Sequence, residues 1–220
     1  LKLKLLVNKM NYILVPFKNF KQAKSRLRKD LSDSETEKIA KLMLEDVLSE
    51  VSKSKIADRK FLLTKDSNAM SLGVKYGIEI IEEKIQVDES TSVDKACNYL
   101  KTIGASAVLR LPGDIPNIEA KDIDLLLNEG KHDSVSIIVP SDSGTGTNAF
   151  YKCPPDVISS SFGENSFQKH INSFITKNIK FKIMEIENIS VDIDSLDDLN
   201  KIKKTSKQSK TSKYLKLASL

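Results

Sequence analysis

Val108-Leu109-Arg110-Leu111-Pro112-Gly113-Asp114-Ile115-Pro116 is the stretch on which the reading of this chain turns. An apolar, β-prone run stops abruptly at Pro-Gly, and a single acid then stands between two prolines. Such a run predicts a buried strand ending in a turn. In an open α/β sheet, ligands bind just beyond the carboxyl ends of the strands. Asp114 falls at that place, with Pro112 and Pro116 restricting the backbone around it. A carboxylate held there suits a hard cation such as Mg²⁺, which in turn holds phosphates. The competing reading is that Asp114 only closes a turn, where Asp is common.

Working outward, strands and helices alternate. Tyr12-Ile13-Leu14-Val15 before Pro16 predicts a buried first strand, and residues 17–28 form a basic loop with no acid before Asp30. Ser32 or Ser34 can cap a helix over 35–52, where Ile39, Leu42, Met43, Val47, Leu48 and Val51 recur at helical spacing. Strands are predicted at 59–64, 78–81, 108–111, 134–140, 149–152 and 181–186, and helices at 67–76, 92–103, 121–128, 166–176 and 196–203. This order predicts a three-layer α/β/α domain with a mostly parallel sheet. One domain over residues 10–203 is expected, with 1–9 an upstream remnant before a native start at Met10, and 204–220 a flexible lysine- and serine-rich tail.

The bulk composition narrows the classes. The chain has 220 residues, enough for one α/β domain, and its 40% hydrophobic and 30% charged content is ordinary for a globular protein. Its net charge of +5 hints at nucleic acid, but seven lysines and no acids lie within 201–220, so the body is slightly acidic. Nucleic acid is therefore not the expected partner. Cys97 and Cys153 lack metal or redox spacing and read as thiols of a reducing compartment. No segment has the length of a membrane helix, and the cytoplasm is the default location.

Four segments carry chemistry. Lys18, Lys21, Lys24 and Arg26 follow the first strand, where cations and backbone amides can cradle phosphates. The loop contains no glycine, so it is neither a Walker A loop nor a dinucleotide fingerprint, and it could be simply a solvated basic loop. Asp142-Ser143-Gly144-Thr145-Gly146-Thr147-Asn148 offers close backbone approach and neutral donors for a phosphate or carboxylate, or is a plain connection. Gly163 and Ser166 open a helix whose amino end can hold an anion, with His170 further along it. In Val191-Asp192-Ile193-Asp194 alternation puts both acids on one side, with Asp192 expected toward a metal and Asp194 nearer a helix cap. A basic loop, two or three acids and neutral anion loops favour phosphoryl or nucleotidyl transfer, which works by positioning and charge neutralisation.

Val15-Pro16-Phe17-Lys18 with Ala23-Lys24-Ser25-Arg26-Leu27, Leu111 to Pro116, Gly144 to Ala149, and Phe162-Gly163 with Ser166 to His170 stand in an order that resembles the 2-phospho-L-lactate guanylyltransferase (CofC) family. Val191 to Leu199 also fits that family's ending. The resemblance implies a GT-A-like nucleotide-diphospho-sugar transferase (nucleotidyltransferase) fold. It implies a reaction joining GTP to 2-phospho-L-lactate or phosphoenolpyruvate, giving lactyl-2-diphospho-5'-guanosine or its enolpyruvyl analogue plus pyrophosphate, in coenzyme F-420 biosynthesis. Carried over by motif, Pro16, Lys18, Lys24, Ser25, Arg26 and Asp94 would hold GTP, and Lys24, Arg26 and Asp114 would be catalytic. Thr147, Asn148, Gly163, Ser166 and His170 would hold the acceptor, and Asp114, Asp192 and Asp194 the Mg²⁺. A homodimer is also implied.

The chain departs from the family where a Gly-Leu-Asn step before the central helix is replaced by Ser92-Val93-Asp94, which bears on base recognition. Rival readings are a same-fold enzyme for 3-phosphoglycerate, molybdopterin or a sugar phosphate, and a non-catalytic protein binding through its basic tail.

Overall fold

The computed structural model describes residues 9–85, 87–204 and 207–218. The proposed remnant before Met10 thus lies almost wholly outside the described residues. Seven strands build one sheet: β1 (Asn11–Pro16), β2 (Arg59–Thr64), β3 (Glu79–Glu82), β4 (Ala107–Arg110), β5 (Ser136–Pro140), β6 (Thr147–Lys152) and β7 (Phe181–Ile183). Their spatial order is β3-β2-β1-β4-β6-β5-β7, and only β6 runs against the others. The helices are α1 (Asp33–Lys53), α2 (Ser67–Lys75), α3 (Glu89–Thr102), α4 (Ala120–Asp133), α5 (Ser166–Thr176), α6 (Glu187–Ser190), α7 (Leu196–Lys204) and α8 (Lys210–Leu217). Among the described residues no helix is long and apolar enough to cross a membrane.

Period-two alternation sends β1 to both faces. Ile13 and Val15 pack with α1, α4 and the C-terminal helices, while Tyr12 and Leu14 pack with Val93, Ala96, Cys97 and Leu100 of α3. Phe150 and Ile138 extend the second face under α5, against Phe174. Both faces of the central strands are therefore buried, as a parallel sheet requires.

Local chemistry sets the helix starts. Ser32 and not Ser34 caps α1: its hydroxyl accepts from the Glu35 amide at 3.3 Å, and the Glu35 carboxylate accepts from the Ser32 amide at 3.0 Å. Asp88 accepts from the Thr91 amide at 2.9 Å and starts α3 three residues before the spacing of apolar residues suggested. The strand expected over 181–186 stops at Ile183, and α6 takes the next stretch.

The expected flexible tail is instead a docked helix. Asp46, on α1, accepts from the backbone amides of Lys210 at 2.8 Å and Thr211 at 2.9 Å, and from the Thr211 hydroxyl at 2.7 Å. A carboxylate thus meets the positive end of α8. Leu215 is fully buried, and Lys210 pairs with Glu45 at 2.6 Å. Burial would raise the Glu45 pKa, but hydrogen bonds from Lys210, Lys75 and Tyr76 outweigh it and hold it at about 2. Lys, Ser and Thr read as a disordered composition, yet Thr211, Ser212 and Leu215 fall on one buried helical face. Residues 207–218 are folded onto the body, so the reading of a free basic arm loses its basis.

Asp46→Ala leaves three donors without their acceptor. Its expected cost is about 1–3 kcal/mol, seen as a lower urea midpoint and faster amide exchange in residues 210–217.

Candidate active site

The loops leaving β1, β4 and β5 converge at the carboxyl edge of the sheet on a cleft with two lobes, of 490 and 840 Å³. The first lobe runs from Pro16 and Lys18 past Leu63 to Glu83 and Ser92. The second is walled by the loop 141–148, by 162–166 and by Asp192. Arg26, Glu89, Arg110, Pro112, Asp114 and Asp194 line both and mark the seam.

Lys24 stands at the seam. It adopts a left-handed conformation (φ +58°), rare for a residue with a side chain, and its ammonium is buried between Asp114 at 2.5 Å and Asp194 at 2.8 Å. Burial alone would lower its pKa. Asp114 and Asp194 outweigh that and hold it above the ordinary lysine value, which favours the charged ammonium. The Ile193 amide donates to the Asp114 carbonyl at 3.2 Å, which fixes the 192–194 segment beside the β4 turn. Arg26 reaches Asp194 at 3.6 Å from an exposed position, and Lys18 and Ser25 are exposed on the same rim.

In the second lobe the loops 141–148 and 162–166 supply hydroxyls and backbone amides, alongside the charged Asp142, Glu164, Asp192 and Lys201. Gly163 (φ +102°) and Asn165 (φ +52°) turn the chain so that Ser166 starts α5 facing the lobe. The Phe167 amide donates to the Thr145 carbonyl at 3.0 Å and stitches the two loops together. Behind Thr147 lies His170, with no exposed surface. The Ser161 amide donates to its Nε2 at 2.8 Å, so Nδ1 carries the proton and donates to the Thr147 hydroxyl at 3.0 Å. The Thr147 proton is thereby left for another acceptor. Burial, then the charges of Lys152 and Arg110, push His170 down to about 4.

The family described as guanylyl transferase CofC like has a model that matches residues 11–220. The chain belongs to this family. Over 187 residues it is 29% identical to the phosphoenolpyruvate guanylyltransferase of Conexibacter woesei, covering 84% of each chain. It is 27% identical to the 2-phospho-L-lactate guanylyltransferase of Methanobrevibacter smithii, over 84% of this chain and 80% of that one. In fold it resembles a solved chain from Desulfovibrio desulfuricans G20 classed with the nucleotide-diphospho-sugar transferases (TM-score 0.76, 16% identity, 96% of each chain). The family match runs past residue 203 and so includes α8.

Against the residues carried over by resemblance, the structure makes two corrections, at Asp94 and His170. Asp94 does not line the cleft: it pairs with the buried Lys152 at 2.7 Å and accepts from the Ser160 amide at 2.9 Å, anchoring the approach to Gly163. His170 lies beneath the lobe and acts through Thr147. Asn148 spends its amide on the carbonyls of Ile189 and Ser190 and on Asp192 at 3.1 Å, so it orients that carboxylate. Asp194 stands one residue before the cap of α7: Ser195 accepts from the Asp198 amide, and the Asp194 carboxylate pairs with Lys24. Arg110, Glu89 and Glu83 line the cleft without having been singled out. A lone arginine ending an apolar strand was the available signal for Arg110.

The acidic groups fit a hard cation in part. One oxygen of Asp114 is buried with no partner, and burial followed by the charge of Asp114 raises the Asp192 pKa. A cation between them would relieve both. Among the described residues no three acidic side chains converge closely enough to enclose an ion by themselves. Mg²⁺ commonly takes only one or two carboxylates and completes its shell with substrate phosphates and water.

A histidine depressed in the folded state contributes stability that is present above its unfolded value of 6.5 and lost as pH falls toward about 4. The urea midpoint should drop between those values, and His170→Gln should remove that component. An identical pH profile in the variant would show that His170 is not held neutral.

Proposed function

We propose that this chain is a guanylyltransferase joining GTP to a small phosphorylated three-carbon acid, 2-phospho-L-lactate or phosphoenolpyruvate, with release of pyrophosphate. The observation that carries the reading is the buried Lys24 ammonium between Asp114 and Asp194, at the seam of one lobe rimmed by Lys18 and Arg26 and one whose loops 141–148 and 162–166 offer hydroxyls and backbone amides. Membership of the CofC-like family and likeness to relatives bearing both acceptor names support it.

In this reading GTP occupies the first lobe. Lys18, Ser25 and Arg26 close on its phosphates from the exposed rim, and Lys24 offsets charge that builds on the departing pyrophosphate. The acceptor occupies the second lobe, where the Thr147 hydroxyl, Ser166 and the backbone at Gly163 orient it without adding charge. An acceptor phosphate oxygen attacks the α-phosphorus in line as the bond to the β-phosphate bridge breaks. Two anions repel strongly at contact, so the basic rim and the cation that the acids would hold are needed to bring them together. The nucleophile is already ionised, so no general base is required. Asp114 and Asp192, with Asp194 beside them, would hold Mg²⁺, which when bound neutralises and orients phosphate oxygens.

Pyrophosphate release from GTP and Mg²⁺, measured with each acceptor in turn, tests the reading. Release should require the phospho-acid and fall at least about 100-fold in Asp114→Ala. A folded protein releasing nothing with phospholactate or phosphoenolpyruvate, but active with 3-phosphoglycerate, molybdopterin or a sugar phosphate, would refute the acceptor assignment.

A further inference from the structure

Arg110 has no part in the chemistry so far. It ends β4 at the carboxyl edge of the sheet, and its side chain is only 6% exposed although it lines both lobes. One terminal nitrogen donates to Glu89, whose side chain is 44% exposed. The other makes two long bonds, to the carbonyls of Thr147 at 3.4 Å and Asn148 at 3.3 Å. Nε has no partner, and the Phe162 ring covers the group at 4.3 Å.

A guanidinium carries five donors in a rigid fork that matches a carboxylate or phosphate edge. Here it is desolvated, yet holds a single carboxylate and leaves a donor unused. Burying a charge is costly unless it is well paired, so this arrangement is incomplete without a second anion. The other bases of the second lobe, Arg26 and Lys201, are 75% and 52% exposed and have carboxylate partners of their own. Thr147, Gly163 and Ser166 offer only neutral donors. An acceptor bearing both a phosphate and a carboxylate therefore meets one buried cation in this lobe, next to Thr147.

We infer that Arg110 binds the carboxylate of the acceptor, and that Glu89 occupies the guanidinium until the acceptor displaces it. The ligand class is a small phosphate ester with a carboxylate on the carbon that bears the phosphate. The strand and Phe162 fix Arg110, whereas Glu89 sits in the first turn of α3 and can swing to solvent. This inference rests on the acceptor assignment above and names the group that selects a phospho-acid over a plain phosphate ester.

The test is calorimetric titration of the full chain with Mg²⁺, using phosphoenolpyruvate and isopropyl phosphate, which keeps the ester and lacks the carboxylate. Arg110→Met should weaken phosphoenolpyruvate by about 10- to 100-fold and change isopropyl phosphate by less than about threefold. Glu89→Gln should tighten phosphoenolpyruvate, and the gain should vanish in the double variant. A guanidinium that merely braces the loops would weaken both ligands alike, and Glu89→Gln would bring no gain. Either result, or a wild-type chain with no preference for the carboxylate, overturns the inference. Should Arg110→Met not fold, the Glu89→Gln titration decides. Turnover assayed in parallel separates the two readings. A carboxylate preference without product from any phospho-acid refutes the reaction and keeps Arg110. Product with an unchanged preference in Arg110→Met refutes Arg110 alone.

Discussion

A lysine ammonium buried at the edge of a sheet is the constraint on which the site depends. Lys24 can be charged there only if carboxylates reach it, and removing a partner would leave a buried cation poorly compensated. Asp114 comes from the β4 turn and Asp194 from the segment before α7, so one cation holds three distant parts of the chain together. The left-handed backbone at Lys24 is the local strain that this convergence requires. The floor of the cleft is consequently fixed before any ligand arrives, which lowers the reorganisation needed during reaction.

The contrast between the two lobes follows from topology. Parallel strands place the loops after β1 and β4 side by side, so the basic segment and Asp114 face each other. The reversed strand β6 then inserts beside β4 and brings its first residues, Thr147 and Asn148, to the same edge. A hairpin from β5 supplies hydroxyls and amides where a further crossover would have supplied a helix. Lys18 and Lys24 of the first loop therefore lie on one side of the seam, and the hydroxyls of the loop before β6 on the other. Asn148 joins the two by holding Asp192.

Most of the sheet and the larger helices were legible, because apolar periodicity and caps are local signals. Asp114 was legible for the same reason, standing where a strand breaks between two prolines. What escaped was set by partners distant in sequence. Asp94 reads as a helix-start acid, and only the fold shows Lys152 beneath it. His170 reads as a partly buried polar residue or, by resemblance, a substrate contact, and only the fold shows that Thr147 and Ser161 already satisfy both nitrogens. Arg110 was absorbed into an apolar run because its neighbours obeyed the strand pattern. The helix α6 is too short for periodicity to register. The C-terminal segment misled by composition, since its ordering depends on Asp46, more than 160 positions away.

That last contact orders events in time. α1 leaves the ribosome well before α8, the helix that seals its flank. During synthesis the Asp46 side of α1 therefore faces solvent until α8 emerges. Vectorial folding from the amino end can assemble β1, β2 and β3 around α1, but it cannot complete the domain. The nascent domain waits, partly open, for α8.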